Sequence, residues 1–194
     1  MRLTGIVFMI IAASFASACK KSEDKAASTG SDEAVAAKPT DQAAKLSYKK
    51  LGSLGLEAEL PDGADIQDTT KGAGYPSATI YAATLPTTFL SGPGEMSDVK
   101  PTLEDSKARF VKDALMNLDS DKRDAAEAHL KPTREEKTAD GWILEMSGAE
   151  MGDTIAVSVR RTFDGKPWDC GSRVKSKDEV AQLEKFCKSV RVAK

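Results

Sequence analysis

A single histidine and three cysteines are all the imidazole and thiol chemistry that this 194-residue chain contains. That shortage excludes most His-based metal cages and argues against a Cys–His or Ser–His–Asp catalytic constellation. Basic excess is also lacking: 28 lysines and arginines face 30 acids, for a formal charge of −2. A nucleic-acid surface would carry a clear positive balance, so that class of partner is excluded. Aromatic residues make up only 6% of the chain, so the core must be small and economical. No HExxH, Walker lysine motif or GxSxG elbow occurs, and Gly72-Ala73-Gly74 and Gly92-Pro93-Gly94 lack the helix that a phosphate loop requires.

What is present is most informative at the start. Met1-Arg2 precedes an almost charge-free stretch from Leu3 to Ala18, the pattern of a signal peptide. Its most apolar part, Ile6 to Ala13, is too short for a stable membrane span. The run Ala16-Ser17-Ala18-Cys19 resembles a bacterial lipobox, in which the cysteine becomes the diacylglyceryl-modified, acylated (palmitate-type) first residue of the mature chain. That resemblance implies a lipoprotein with residues 1–18 removed and Cys19 lipidated. Ala16 stands where the pattern usually carries leucine, so ordinary signal-peptidase cleavage stays open as the alternative. Lys20, not aspartate, occupies the second mature position, which in the sorting rule of such lipoproteins leads to the outer membrane, facing the periplasm.

Residues 19–45 read as a tether. From Lys20 to Lys45 lysines and acids alternate with alanine, Val35 is the one larger aliphatic residue, and Gly30 and Pro39 interrupt any helix. Such a segment cannot bury enough surface to offset its ordering entropy, and disorder is expected. As a flexible coil it would span on the order of 30 Å root-mean-square.

From Leu46 to Lys194 the composition is that of one globular domain. Leu56 to Leu60 alternates apolar and acidic residues, and Ser77 to Thr84 is a second β-rich run. Thr102 with Asp105 reads as a helix start, and Leu103, Phe110, Val111, Ala114, Leu115 and Leu118 share one helical face. A β-meander follows, with turns at Asp140-Gly141, Gly152-Asp153 and Asp164-Gly165; Trp142, Leu144 and Met146 lie on one face, and Ile155, Val157 and Val159 alternate against Ala156, Ser158 and Arg160. Ser176 and Glu179 open a last helix whose stripe is Val180, Leu183, Phe186, Cys187 and Val190. The order β-β, α, β-β-β, α predicts an α+β fold, an antiparallel sheet packed by two helices.

Cys170 and Cys187 remain once Cys19 is spent on lipid. An even count in an exported domain reads as a disulfide, here between the last strand and the last helix. A buried reduced pair is the alternative; a redox pair would want Cys-x-x-Cys, and zinc would want two more ligands.

Other candidates for chemistry carry little. His129 is read as an ordinary surface side chain. Asp119-Ser120-Asp121 begins like a calcium loop but lacks its glycine and terminal glutamate, so it is read as a solvated turn. Glu135-Glu136 is a carboxylate pair among many. Arg160-Arg161 is read as a solvated strand end. The stretch from Pro86 to Pro101 is read as a long loop whose Phe89, Leu90 and Met96 form the candidate recognition surface, unless they dock on the domain's own core, the reading favoured. No metal and no cofactor is expected.

The succession of strands opening into Leu60-Pro61-Asp62-Gly63, a central helix, a meander with Trp142 and a final helix resembles the PsbP/Mog1 type of α/β/α sandwich. That resemblance implies a non-catalytic binding or assembly factor. The function expected is therefore a non-enzymatic envelope lipoprotein, held to the membrane by its lipid, with an envelope protein as candidate partner. An envelope hydrolase using carboxylates, or a passive structural lipoprotein, are the alternatives.

Overall fold

A computed structural model describes residues 45–194. Residues 1–44, which include the expected signal peptide, Cys19 and most of the expected tether, lie outside the described residues. Ten strands and four helices follow in chain order: β1 (Leu46–Lys50), β2 (Leu56–Pro61), β3 (Asp65–Asp68), α1 (Thr70–Ala73), β4 (Ser77–Ala82), β5 (Leu85–Ser91), α2 (Leu103–Ala114), α3 (Ser120–Glu127), β6 (Arg134–Thr138), β7 (Gly141–Met146), β8 (Ile155–Phe163), β9 (Lys166–Val174), α4 (Lys177–Ser189) and β10 (Arg191–Val192). The fold is α+β, as the sequence predicts.

Seven strands form one antiparallel sheet in the order β3-β4-β5-β9-β8-β7-β6, and β1-β2-β10 form a small second sheet. The large sheet is thus two meanders joined where β5 meets β9, with α2 and α3 crossing between them. Its two faces bury different clusters. On one, Leu56, Ala58 and Leu60 of β2 join Val180, Leu183 and Phe186 of α4 over Leu90, Ile143, Val157, Val159 and Trp168. On the other, Val111, Ala114 and Leu115 from the α2 segment and Ala126 of α3 cover Met146 and Ala156. Gly92 belongs to the tight side of the first cluster: a Cβ there would lie 2.7 Å from the Trp168 ring.

Both long helices begin as expected. Thr102 accepts from the Asp105 amide at 3.1 Å, and Ser176 accepts from the Glu179 amide at 3.2 Å while the Glu179 carboxylate takes the Lys175 amide at 2.6 Å. Such caps satisfy amides that the first turn leaves without partners. Their C-termini are closed from the sheet. Arg161 on β8 donates to the carbonyls of Lys188 at 2.8 Å and Cys187 at 3.2 Å at the end of α4. Arg173 on β9, on the opposite face, donates to Asp113 O at 2.8 Å and to Ala114 O at the end of α2. A cation at a helix C-terminus also matches its dipole.

Cys170 and Cys187 form the disulfide, with Cα atoms 5.8 Å apart and 17 positions of separation. It pins α4 to β9 inside the larger cluster.

Five elements were not expected from the sequence: the edge strands β1 and β3, the one-turn helix α1 at the Gly72-Ala73-Gly74 stretch, the short β10 and the charged helix α3, whose first residues, Asp119-Ser120-Asp121, were expected as a solvated turn. One error matters more. Phe89 and Leu90 do not sit in a loop; they belong to β5, between β4 and β9. Pro86 stands where the β4–β5 register shifts, a place that tolerates its missing amide. Strand alternation then separates the two residues. Leu90 points into the core at 1% exposure, whereas Phe89 is 54% exposed on the other face. Met96 alone keeps a loop position, 75% exposed.

Two outcomes follow from this packing. Leu90→Ala should cost about 2–5 kcal/mol of stability and Phe89→Ala no more than about 0.5 kcal/mol, read from urea midpoints. Equal costs would contradict the alternation. Thiol counting on the unreduced protein should find neither Cys170 nor Cys187 reactive, and replacing both by serine should lower stability by about 3 kcal/mol.

Candidate functional site

The helix-crossed face of the sheet is only partly covered. Helix α2 packs against β7, and the β5 side of the same face stays open. Between them lies a cleft of about 580 Å³. Its floor comes from alternate residues of three strands: Thr87, Phe89 and Ser91 of β5, Asp169, Gly171 and Arg173 of β9, and Ser158 of β8. Period-2 alternation puts those residues on one face. Arg109, Phe110 and Asp113 of α2 form one wall, and Tyr75, Asp98 and Val99 the other.

At the base lies Arg160, expected as solvated and found 2% exposed. Its Nε donates to Asp169 Oδ1 at 2.5 Å and its Nη2 to Oδ2 at 3.0 Å, a two-pronged pair. Nη1 donates to the Lys100 carbonyl at 2.5 Å and Nη2 to Ser106 Oγ at 3.2 Å, and the guanidinium carbon lies 4.5 Å from the Trp142 ring centre. One buried cation thereby holds together β8, β9, the start of α2 and the chain before it. Burying an unpaired charge would be prohibitive, and the dense set of acceptors explains why this one is tolerated.

Higher on the wall, Arg109 lies 2.6 Å from Asp98 and 3.0 Å from Asp113. Burial raises the carboxyl of Asp113 above the ordinary aspartate value; Arg109 opposes the rise, and neighbouring Asp98 adds to it. Burial likewise raises Asp169, against the pull of Arg160. Chemically, the cleft offers aromatic surface, hydroxyls and three carboxylates, each carboxylate engaged by an arginine.

The residues singled out from the sequence are dispersed. Cys19 lies outside the described residues. Cys170 and Cys187 are joined on the far side of the sheet. Of the recognition trio, Phe89 alone lines the cleft. His129 is exposed, its Nδ1 2.9 Å from Ala125 O. Glu135 and Glu136 point to opposite faces, one to Lys107 and one to Arg134, so they are no acid–base pair. Among the described residues no group of three or more His, Cys, Asp or Glu side chains is placed to hold a metal.

The cleft's charged residues were missed, although two signals were available. Arg109 and Asp113 are four apart on α2, facing neighbours by helical geometry. Asp164 and Gly165 both adopt positive φ, 51° and 74°, the two-residue hairpin turn that this dipeptide favours. Centring the hairpin there places Arg160 opposite Asp169 by counting outward.

The raised carboxyl of Asp113 has a definite sign in a stability measurement. A native pKa above the unfolded one gives stabilisation that is full below about pH 3.8, the ordinary aspartate value, and is lost as pH rises through the raised native value. Asp113→Asn removes that loss. The variant should therefore gain on the native chain in urea midpoint as pH rises from 3.8; a constant or opposite difference would refute the assignment.

No protein family matches the chain, and no curated protein does. Among solved structures, the solution structure of cyanobacterial PsbP (CyanoP) from Synechocystis sp. PCC 6803 superposes with a TM-score of 0.44 at 17% sequence identity, covering 82% of this chain and 99% of that one.

Proposed function

We propose that this chain is an exported lipoprotein, anchored in a bacterial envelope membrane through Cys19, whose α+β domain binds another envelope component through the cleft beside α2 without catalysing a reaction. The observation that carries this reading is Phe89. A phenylalanine ring held 54% exposed on an interior strand, at the floor of a cleft, is surface that folding alone does not use. The ring shares the cleft with Phe110 and the exposed Met116, and a concave apolar surface rimmed by polar groups is the ordinary mark of a binding site. Export is supported by the Cys170–Cys187 bridge, since such bonds persist in oxidising compartments. The lipid anchor rests on the lipobox-like sequence, and outer-membrane placement rests on Lys20.

One observation favours the hydrolase alternative: Asp113 and Asp169 share the cleft, and burial raises both carboxyls. Acid–base pairs, however, need their two values pushed apart, and here both move the same way. Each carboxylate is also tied to an arginine, which opposes proton uptake by the group. Binding is the better-supported use of the cleft.

Cys19→Ala should move the protein from the membrane fraction to the soluble fraction; persistent membrane association would sink the anchor. A photoreactive phenylalanine analogue at position 89 should capture an envelope component in intact cells, while the same analogue at Tyr81, exposed on β4 outside the cleft, should not. Equal capture at both positions, or none at 89, would remove the cleft from the proposal.

A further inference from the structure

Resting on the reading of the cleft as the binding face, we propose that its ligand is a neutral, polyhydroxylated molecule: a saccharide. The first argument is charge. Asp98 and Asp113 face Arg109, Asp169 faces Arg160, and Arg173 is engaged by the carbonyls ending α2. An anion would have to draw Arg109 or Arg160 from a carboxylate, or Arg173 from the helix-end carbonyls that it closes, and a cation would have to draw a carboxylate from its arginine. A neutral ligand asks for neither.

The second argument is hydrogen-bonding capacity. A carboxylate offers about four lone-pair sites and a guanidinium five N–H donors, so paired groups still hold unspent donors and acceptors in fixed places. The Asn117 amide and the hydroxyls of Ser91 and Ser158 also line the cleft and take no part in hydrogen bonds among the described residues. Alternating donors and acceptors on planar, pinned side chains suit vicinal hydroxyl groups, each of which gives and accepts.

The third argument is surface. A sugar ring has one face of C–H groups, which packs on an exposed aromatic ring; Phe89 supplies that ring from the floor. The cleft's roughly 580 Å³ falls within the range of about 300–1,000 Å³ usual for small-ligand sites.

An extended peptide fits less well. Strand addition needs free backbone donors and acceptors. The floor strands β5 and β9 are interior to the sheet, pairing Phe89 with Gly171 and Ser91 with Asp169, and offer no edge.

The test uses the full mature chain in a detergent without a sugar head group. Titration calorimetry against a panel of neutral oligosaccharides, N-acetylated amino-sugar oligomers included, should show saturable binding that barely changes between low and high salt. Phe89→Ala and Asn117→Ala should each weaken it about tenfold while leaving the thermal midpoint unmoved. Binding that fades with salt, or that survives both substitutions, would overturn the proposal. No saccharide binding, with capture of a protein by the photoreactive side chain at 89, would overturn the ligand class and leave the cleft standing. No binding and no capture would overturn both.

Discussion

The two-residue turn at Asp164-Gly165 sets the register of β8 against β9, and most of what holds the domain together is written in that register. Nine residue pairs run outward from it. On one face it sets Arg160 opposite Asp169; on the other it sets Val159 opposite Cys170, within reach of α4. The same ladder sends Arg161 toward the end of α4 and Arg173 toward the end of α2. A slip of one residue would flip every one of these side chains. The buried guanidinium would lose its carboxylate, the disulfide would face the wrong layer, and both helices would lose their closing cations. Positive φ at Asp164 and Gly165 is therefore a condition for the core, the bridge and the cleft together.

Charge is managed accordingly. The sheet carries arginines into places where lysine would serve poorly, because a planar fork can hold a carboxylate with two bonds and still reach carbonyls. Arg160 uses this most fully, joining Asp169, Lys100 O and Ser106 in one geometry. Pairs of this kind add little net stability compared with apolar packing, but breaking one leaves an uncompensated charge. Their service is to fix position. In the cleft they hold polar groups still while leaving no net charge to select an ion, and that is a different economy from an acid–base site.

Local signals were legible in the sequence, and non-local ones were not. Thr102 and Ser176 mark their helices because capping is a matter of three residues. Trp142, Leu144 and Met146 mark β7 because it buries one face against α2. The Cys170–Cys187 bridge was legible as an even cysteine count in a domain expected to be exported. By contrast, β1 reads LSYKK, an exposed edge whose apolar alternation is limited to Leu46 and Tyr48, too short to mark a strand. Helix α3, SDKRDAAE, buries only Ala126, so its amphipathic signal is nearly absent. Strand β5 failed for a subtler reason: its proline and its adjacent Phe89-Leu90 look like loop and hydrophobic patch, and only the partner strands reveal that the two residues face opposite ways. The cleft depends on contacts between β5, β9 and α2, far apart in sequence, and periodicity does not report them. The Arg160–Asp169 pairing was the exception, recoverable by counting from the turn.

That one half of a sheet face remains bare follows from chain economy. After β5 the chain must return to build β6 at the far edge of the sheet, and α2 and α3 make that crossing over β7 and β8. With twelve residues, α2 covers the strands it crosses and no more. The sheet half made of β3, β4 and β5 is covered on its other face by α4 and the small sheet. A chain that needed only stability could have placed threonine or lysine at position 89, where an open face would cost nothing. Phenylalanine there keeps apolar surface in water beside hydroxyls and pinned charges, and a ligand that covers the ring and answers the hydroxyls recovers what folding leaves unused.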